Sequence, residues 1–193
     1  MSDDPLDRLL AAPASRTPPD IFGFTAIRLG QSIYDRVWRE ASAGRWPADA
    51  PELDGFAARL KDLPMSERLE EANAWVNARV TYARDPLLTD HHWGDLAKVL
   101  SRGSGEREDI AIAKLQLLAA VGVPRRDMFL VLVRDAWRTA DDALLLVRVD
   151  NRLYLLDSKQ NQFVDASQRG RYVPVLAFSA EGRWIFGSRR HVA

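Results

Sequence analysis

The chain has 193 residues, and its 27 Lys and Arg residues balance 27 Asp and Glu residues, so the formal net charge at pH 7 is zero. This balance leaves no overall positive field of the kind that draws a protein to nucleic acid or to an anionic membrane surface. The chain contains no cysteine, which excludes disulfides, thiolate metal sites and a cysteine nucleophile from these residues.

The first 20 residues predict a poorly ordered arm, and residues 21–193 predict a single domain. The arm is acidic at its front and lacks the basic and apolar regions of a signal peptide. No apolar run reaches the roughly 18 residues that a membrane-spanning helix needs. As written, the sequence predicts a cytoplasmic protein without membrane insertion, and a periplasmic location stays open if the sequence was shortened at its start.

Apolar residues at helical spacing predict several helices in the first half of the chain. Pro64 ends one of them, Ser66 is expected to cap the next, and a short helix is expected from Asp95 to Arg102. The apolar positions of the three longer helices are Tyr34, Val37, Trp38 and Ala41; Leu53, Phe56, Leu60 and Leu63; and Leu69, Ala72, Val76 and Val80.

A segment in the middle of the chain predicts a helix that is buried on all sides. From Ile110 to Val121, ten of twelve residues are apolar, and only Lys114 and Gln116 interrupt the run. A helix that is apolar nearly all round belongs in the centre of a core. Five strand-like runs follow it: MFLVLVR, ALLLVRV, RLYLLDS, YVPVLAF and RWIFG. Helices first and strands afterwards predict an α+β domain, with an antiparallel sheet packed on the central helix.

The stretch before that helix carries a recognisable motif. It reads WGDLAKVLSRGSGERED and continues IAIAKLQLLAAVGVP. This pattern resembles the bacterial transglutaminase-like cysteine proteinase family, whose members include periplasmic proteases that trim biofilm adhesins. The resemblance covers roughly residues 20–165 and implies a transglutaminase-like or papain-like fold. The residues that match in register are Trp93, Leu100, Gly103, Gly105, Glu108, Asp109, Ala111, Ile112, Ala113, Lys114, Gly122, Val123 and Pro124.

The resemblance also implies where the three catalytic residues of the family would lie. The nucleophilic Cys corresponds to Arg107, the His corresponds to Asp142 or to its neighbour Asp141, and the Asp corresponds to Asp157. A guanidinium group is no nucleophile, and a carboxylate is a poor base for acyl transfer at neutral pH. The resemblance therefore implies a family member without catalytic activity.

Arg107 falls in the first turn of the central helix, where a cation opposes the helix dipole by about 0.3–1 kcal/mol. We therefore expect anions nearby. If the geometry of the family holds, Asp142 and Asp157 face the same point, and Arg107 forms a salt bridge with one or both of them. The alternative is a solvated Arg107 that pairs with nothing.

Members of the family bind calcium through acidic residues near the catalytic turn. The resemblance thus implies a weak calcium site at Glu106, Glu108 and Asp109, although Glu106 stands where the family has Asp. The alternative is that these are ordinary acidic residues at the positive end of a helix. No other cofactor is expected.

Three further features predict little chemistry of their own. The adjacent His91 and His92 are expected to be solvated loop residues rather than metal ligands. Ser104 and Ser158 have no His at a suitable spacing, so a substitute serine nucleophile is not expected. The last 28 residues carry five Arg against one Glu, which indicates a solvated basic tail or, alternatively, a small docking patch for anions.

Three functional hypotheses follow. The leading one is a catalytically inactive proteinase homologue with a binding or regulatory role towards a protein or peptide partner. The second is a hydrolase whose site uses acidic residues or a metal ion. The third is a structural module that forms homo-oligomers through exposed tryptophans, for which the candidates are Trp38, Trp46 and Trp184.

Overall fold

A computed structural model describes residues 19–84 and 92–189 of the protein. In these residues, five helices pack with a seven-stranded sheet. The helices are α1 (Asp35–Ser42), α2 (Pro51–Lys61), α3 (Met65–Arg79), α4 (Leu96–Arg102) and α5 (Arg107–Ala120). The strands are β1 (Phe24–Arg28), β2 (Thr81–Tyr82), β3 (Ser104–Gly105), β4 (Met128–Asp135), β5 (Ala140–Val149), β6 (Arg152–Leu156), β7 (Val164–Asp165), β8 (Tyr172–Ser179) and β9 (Gly182–Arg189).

The main sheet has the strand order β1-β9-β8-β4-β5-β6-β7, and every neighbouring pair in it is antiparallel. Strands β2 and β3 form a separate parallel pair near the start of α5. The α+β class and the antiparallel sheet that the sequence predicts are therefore confirmed.

The central helix α5 lies against the sheet and is surrounded by the other helices. It contacts α1, α3 and α4 on its outer side and β4 and β5 on its inner side. Ile112, Leu117 and Leu118 are completely buried. Because neighbours cover it on all sides, apolar residues are required around the whole helix. The prediction of a central buried helix is confirmed.

The opposite face of the sheet has a second core. Alternate residues of β4 point to this face, among them Phe129 and Val131. The chain just before β1 covers part of it, since Ile21 is fully buried there and the ring of Phe22 lies 5.8 Å from the ring of Tyr172. The sheet is therefore buried on both faces, which explains why its strands read as apolar runs.

Two helix starts can be compared with the sequence prediction. The short helix expected from Asp95 to Arg102 is confirmed as α4, and the Asp95 side chain caps it by accepting a hydrogen bond of 2.9 Å from the backbone N–H of Lys98. The expected cap at Ser66 is wrong. Helix α3 already begins at Met65, directly after Pro64, and it has no side-chain cap. The fixed φ of Pro64 suits the entry to the helix without a capping side chain.

The three tryptophans considered for an oligomer interface are packed within the chain. Trp184 is only 6% exposed, the Trp38 ring lies 5.6 Å from that of Phe178, and Trp46 donates a 2.7 Å hydrogen bond to Asp54. Trp184 is therefore buried, whereas Trp38 and Trp46 are half-buried and pack against the main core. In the described part of the chain, no helix combines the length and the apolar character needed to cross a membrane.

The junction of α1, α4 and α5 generates a stability prediction. The Gln116 side chain joins these helices, because it donates to Ala41 O and accepts from the N–H of Leu96, both at 2.6 Å. Gly44 packs so closely here that an added Cβ would collide with Asp95 and with the Gln116 amide. We expect Gly44→Ala to lower the free energy of unfolding by roughly 1–3 kcal/mol, because the added methyl group overpacks the junction. Urea denaturation measures this loss.

The matched control is Gly55→Ala in the middle of α2. An added Cβ at Gly55 meets no atom within 4 Å. We expect this variant to raise the free energy of unfolding by roughly 0.5–1 kcal/mol, since alanine costs less backbone entropy in a helix. Equal effects of the two substitutions would contradict the close packing at Gly44.

Candidate functional site

Hydrogen bonds to Asp109 fix the point at which α5 begins. The buried Asp109 carboxylate accepts from the N–H of Gly94 at 2.6 Å and from the N–H of Glu106 at 3.0 Å. Glu106 and Asp109 form a reciprocal capping box at the helix start. Arg107 is consequently the first residue of α5, at the positive end of the helix.

The Arg107 guanidinium is held by three neighbours. Its Nε lies 3.1 Å from Asp142 Oδ1, its Nη1 donates a 3.1 Å hydrogen bond to Ser158 Oγ, and its Cζ lies 4.0 Å from the centroid of the Tyr82 ring. The side chain is only 20% exposed. The predicted contact between Arg107 and Asp142 is therefore confirmed, and the alternative of a solvated Arg107 is wrong.

Asp142 lies near the start of β5, with its side chain only 3% exposed. Its Oδ1 faces Arg107, and its Oδ2 is paired with the ammonium group of Lys159. Both oxygens therefore have a cation beside them, which offsets the cost of removing the carboxylate from water. Neighbouring Asp141 is 86% exposed and pairs with Arg134 outside the site, so the side chain that meets Arg107 is that of Asp142.

Asp157 belongs to a different set of contacts. Its Oδ2 accepts a 3.3 Å hydrogen bond from Tyr172 Oη and lies 3.9 Å from Arg171 Nη2, while its Oδ1 accepts from the N–H of Lys159 at 3.0 Å. Burial raises the pKa of Tyr172 to about 12, so its hydroxyl stays protonated and can donate. Of the two carboxylates that the sequence offered to Arg107, one or both, Asp142 is the one that it meets, and Arg171 supplies the cation for Asp157.

Two asparagines on α3 hold the loop that carries Ser158 and Lys159. Asn73, which is fully buried, donates to the carbonyls of Gln160 and Asn161 at 2.8 and 2.7 Å. Asn77 donates to the carbonyls of Asp157 and Gln160, both at 3.1 Å. These bonds fix the loop against α3 and thereby place the Ser158 hydroxyl and the Lys159 ammonium beside Arg107 and Asp142.

Two further titratable groups lie on α5 close to these charges. Burial lowers the pKa of Lys114 to about 7, and the nearby Asp157 and Asp142 offset part of this effect. Burial also raises the pKa of Glu108 to about 7, and the negative charges of Glu106, Asp109 and Asp142 add to this shift. Both groups therefore change charge near neutral pH.

The residues considered for metal binding are arranged as follows. Both oxygens of Asp109 accept backbone hydrogen bonds, and Glu106 shares the capping box with it. Over the described ranges, no three His, Asp or Glu side chains are grouped so that they could hold a metal ion. His92 Nε2 lies 3.3 Å from Lys98 Nζ, whereas His91 lies outside the described residues. Ser104 lies in β3, apart from the contacts of Arg107.

Sequence reasoning missed several side chains that complete this site. Ser158 was considered only as a nucleophile, whereas here it accepts a hydrogen bond from Arg107. Arg171 is predicted only as one of the arginines of a basic tail, and the sequence gives Lys159 and Tyr172 no predicted role.

A local signal exists for the turn at Lys159, because the Asp157 side chain accepts from the N–H of Lys159 two residues on. The pairing of the Lys159 ammonium group with Asp142 is set by the tertiary structure. Tyr82 is far away along the chain, and only the tertiary structure brings it to Arg107.

The geometry limits what the site can do chemically. The Arg107 guanidinium can donate hydrogen bonds but has no lone pair with which to attack a carbonyl. The Asp142 carboxylate would have to break its ion pairs with Arg107 and Lys159 before it could accept a proton. The arrangement therefore resembles a closed ionic cluster rather than a poised nucleophile and base.

The Asp142 cluster generates a stability prediction. We expect Asp142→Ala to lower the free energy of unfolding by about 3–5 kcal/mol, because it leaves two partly buried cations without their carboxylate. Asp141→Ala is the matched control and should change stability by less than about 0.5 kcal/mol, since this carboxylate is exposed. Thermal and urea unfolding of both variants measure the difference, and similar losses would contradict the assigned roles.

Lys114 generates a prediction about pH. Between pH 7 and about 10.4 the unfolded chain binds a proton at Lys114 that the folded chain lacks, so this residue makes stability rise with pH. Lys114→Met removes that contribution. Between pH 7.5 and 9.5, the free energy of unfolding of the original protein should therefore rise relative to that of Lys114→Met, by on the order of 2 kcal/mol.

The control for this pH dependence is Lys61→Met, which removes an exposed lysine from the end of α2. Its difference from the original protein should stay constant across the same pH range. Urea denaturation at each pH provides the measurement. If the difference between the original protein and Lys114→Met does not change with pH, Lys114 keeps its proton in the folded state.

Comparison with known proteins identifies the family. The sequence profile of the bacterial transglutaminase-like cysteine proteinases matches residues 56–188, which is more than half of the chain. Legionella pneumophila LapG has a similar structure, with 28% sequence identity and a TM-score of 0.63 over 69% of this chain and 76% of LapG. Calcium-bound LapG gives 25% identity and a TM-score of 0.65 over 81% and 90% of the two chains.

More distant structures agree in fold alone. A crystal structure from Parabacteroides distasonis gives 17% identity and a TM-score of 0.51 over 82% of this chain and 30% of its own. No curated protein matches the chain. The family profile spans α5, strands β4 to β8 and the residues around Arg107, and the chain belongs to the bacterial transglutaminase-like cysteine proteinases.

Proposed function

We propose that this chain is a catalytically inactive member of its family that binds a protein or peptide partner. The observation that carries the proposal is the position of Arg107, the first residue of α5, between Asp142, Ser158 and Tyr82. The resemblance of the sequence places the family's nucleophilic Cys here, and the chain has no cysteine. A guanidinium group held in this way supports structure rather than acyl transfer.

The energetics of the cluster support an inactive site. Catalysis by Asp142 would require its carboxylate to separate from Arg107 and from Lys159 while it stays buried. Uncompensated buried charges cost several kcal/mol each, which is comparable to a large part of the stability of a domain this size. The site therefore stays closed under conditions in which the protein is folded.

Two exposed aromatic side chains, each in contact with an arginine that pairs with a buried carboxylate, support a binding role. Tyr82 is 45% exposed and covers Arg107, and Trp137 is 79% exposed with its ring 5.5 Å from the guanidinium of Arg171. Tyrosine, tryptophan and arginine are the residue types that contribute most to protein–protein binding. A partner that covers the Tyr82 ring would also cover Arg107.

A hydrolysis assay tests the inactive state. We expect no release of fluorescent peptides from labelled casein above the buffer rate, either with added calcium or with EGTA, and the same result for Arg107→Ala. Hydrolysis by the original protein that Arg107→Ala abolishes would overturn the proposal. Hydrolysis only with calcium would instead support a metal-assisted site.

Selection of peptides from a random dodecapeptide display library tests the binding role. Peptides enriched on the original protein should lose at least about tenfold in affinity for Trp137→Ala or Tyr82→Ala, as for an aromatic hot spot. Ile33→Ala removes an exposed apolar side chain from the connection before α1 and should leave binding unchanged. Equal binding to all variants would contradict the assignment of this surface.

One observation favours a second candidate, a hydrolase with an acidic site. The pKa of Glu108 is raised to about 7, a value suited to proton transfer at neutral pH. If the casein assay detects activity, Glu108→Gln should abolish it while Asp141→Asn leaves it intact. Activity that survives Glu108→Gln would exclude this candidate.

A further inference from the structure

The loop between β7 and β8 is the meeting point of three segments that carry arginines. The loop itself contains Arg169 and Arg171 and no acidic residue. Arg189, at the end of β9, donates a 3.1 Å hydrogen bond to the carbonyl of Gly170 in this loop. The N–H of Ala136, in the connection between β4 and β5, donates to the carbonyl of Arg171 at 3.0 Å. The end of β9 and the tip of the β4–β5 hairpin are thereby joined to the loop.

The tip of this hairpin adds an exposed ring and a fourth arginine. Trp137 is 79% exposed, and the centroid of its ring lies 5.5 Å from Cζ of Arg171. Arg138 follows it and is also exposed. The N–H of Trp137 donates to Asp135 Oδ1 at 3.1 Å, and the N–H of Arg138 donates to Asp135 O at 3.2 Å. Because these bonds fix the turn, Trp137 is held at the surface before any partner binds, which lowers the ordering cost of binding.

Two buried carboxylates hold Arg171 beside this ring. Its Nε lies 3.7 Å from Asp135 Oδ2, and its Nη2 lies 3.9 Å from Asp157 Oδ2. Both aspartates are buried, whereas the Arg171 side chain keeps some exposure to solvent. A partner at this surface therefore meets the guanidinium group and the Trp137 ring rather than the two carboxylates.

The hydrogen bonds of two other arginines here go to neutral oxygens. Arg169 Nη2 donates to the side-chain amide oxygen of Gln160 at 2.9 Å, and Arg189 donates to a backbone carbonyl as described above. Neither bond cancels a charge. The four arginines of this surface and the two aspartates beside Arg171 leave a surplus of two positive charges, in a chain whose formal net charge is zero.

Acidic residues on the adjoining strands have cations of their own. Asp141, on β5, lies 3.6 Å from Arg134 Nε, and Asp165, on β7, interacts with Arg152. The positive surplus is therefore kept. We call this surface the basic patch, and its members are Trp137, Arg138, Arg169, Arg171 and Arg189.

We propose that the basic patch binds an acidic segment of the partner, an inference that rests on the proposed function and gives that partner its chemistry. Guanidinium groups form paired, charge-assisted hydrogen bonds with carboxylates. The exposed Trp137 ring offers a surface on which an apolar side chain of the same segment packs. The patch thus combines charge complementarity with an aromatic anchor, as binding hot spots do.

The size of the charge surplus favours an acidic peptide over nucleic acid. A nucleic acid carries one negative charge at every nucleotide, and its binding draws on many cation contacts and on a broad positive field. Here the surplus is two charges on a chain that is neutral overall, and the exposed Asp141 lies on the strand that follows the hairpin. A peptide segment presents its carboxylates to the patch without extending further negative charge over the rest of the surface.

Fluorescence anisotropy with labelled dodecapeptides tests this inference on the full chain. The probe is a peptide of alternating Glu and Ser with one central Phe, and the comparison peptide has Gln in place of every Glu. We expect the original protein to bind the Glu peptide at least about tenfold more tightly than the Gln peptide in a low-salt buffer. The difference should shrink as salt is added, because salt screens exposed charges.

Two charge reversals locate the binding. Arg138→Glu should weaken binding of the Glu peptide by roughly fivefold or more, because it replaces an attractive charge with a repulsive one. Arg36→Glu is the matched control, since Arg36 lies on α1 with its side chain 71% exposed and the net charge changes equally. This control should leave the affinity within about twofold of the original value. Thermal unfolding verifies that both variants are folded.

Three results would overturn the inference. The first is equal affinity of the original protein for the Glu and Gln peptides, including no binding of either. The second is an equal effect of Arg138→Glu and Arg36→Glu, which would remove the binding from the basic patch. The third is tighter binding of single-stranded oligo-dT than of the Glu peptide, which would assign the patch to nucleic acid.

Failure of the proposed function gives different results. Library peptides that lose affinity for Trp137→Ala but not for Arg138→Glu would keep the partner-binding role and overturn only the acidic character of the partner. Hydrolysis of casein would overturn the inactive state, and the affinities for the Glu and Gln peptides would still decide whether the patch selects acidic segments.

Discussion

The carboxylate of Asp142 is the group on which the site depends. It is buried at the start of β5, where an unpaired charge would cost several kcal/mol. It is stable there because Arg107 forms an ion pair with one of its oxygens and Lys159 with the other. These two cations come from different parts of the chain, the start of α5 and the loop after β6. One buried charge thereby ties the central helix to the sheet.

The surrounding structure holds each of these groups in place. The capping box of Glu106 and Asp109 sets the start of α5 and therefore the position of Arg107. Asn73 and Asn77 hold the loop that carries Lys159 against α3. Such support is what a site needs when its contacts depend on distances of about 3 Å. In this protein the support holds an ionic cluster together.

The family relationship explains why an intact scaffold surrounds this cluster. The chain belongs to this family, and its fold is similar to that of LapG. The buried Lys114 and the half-buried Glu108 lie on the central helix, and desolvation brings the pKa of each to about 7. The helix start is therefore a region in which charges balance closely, and replacement of one charged side chain requires compensation by others.

The sequence alone determined the elements whose patterns are local. The apolar run from Ile110 to Val121 required a buried helix, and the β-rich runs required strands, because these patterns depend on neighbouring residues only. Through the resemblance to a known family, it also predicted a salt bridge from Arg107 to Asp142, Asp157 or both, with a solvated Arg107 as the alternative. The structure decided for Asp142. Only the tertiary structure decided that Arg171 pairs with Asp157 and that Lys159, Ser158 and Tyr82 complete the cluster. Those contacts join side chains from separate elements, and their distances are set by how the helices and the sheet pack together.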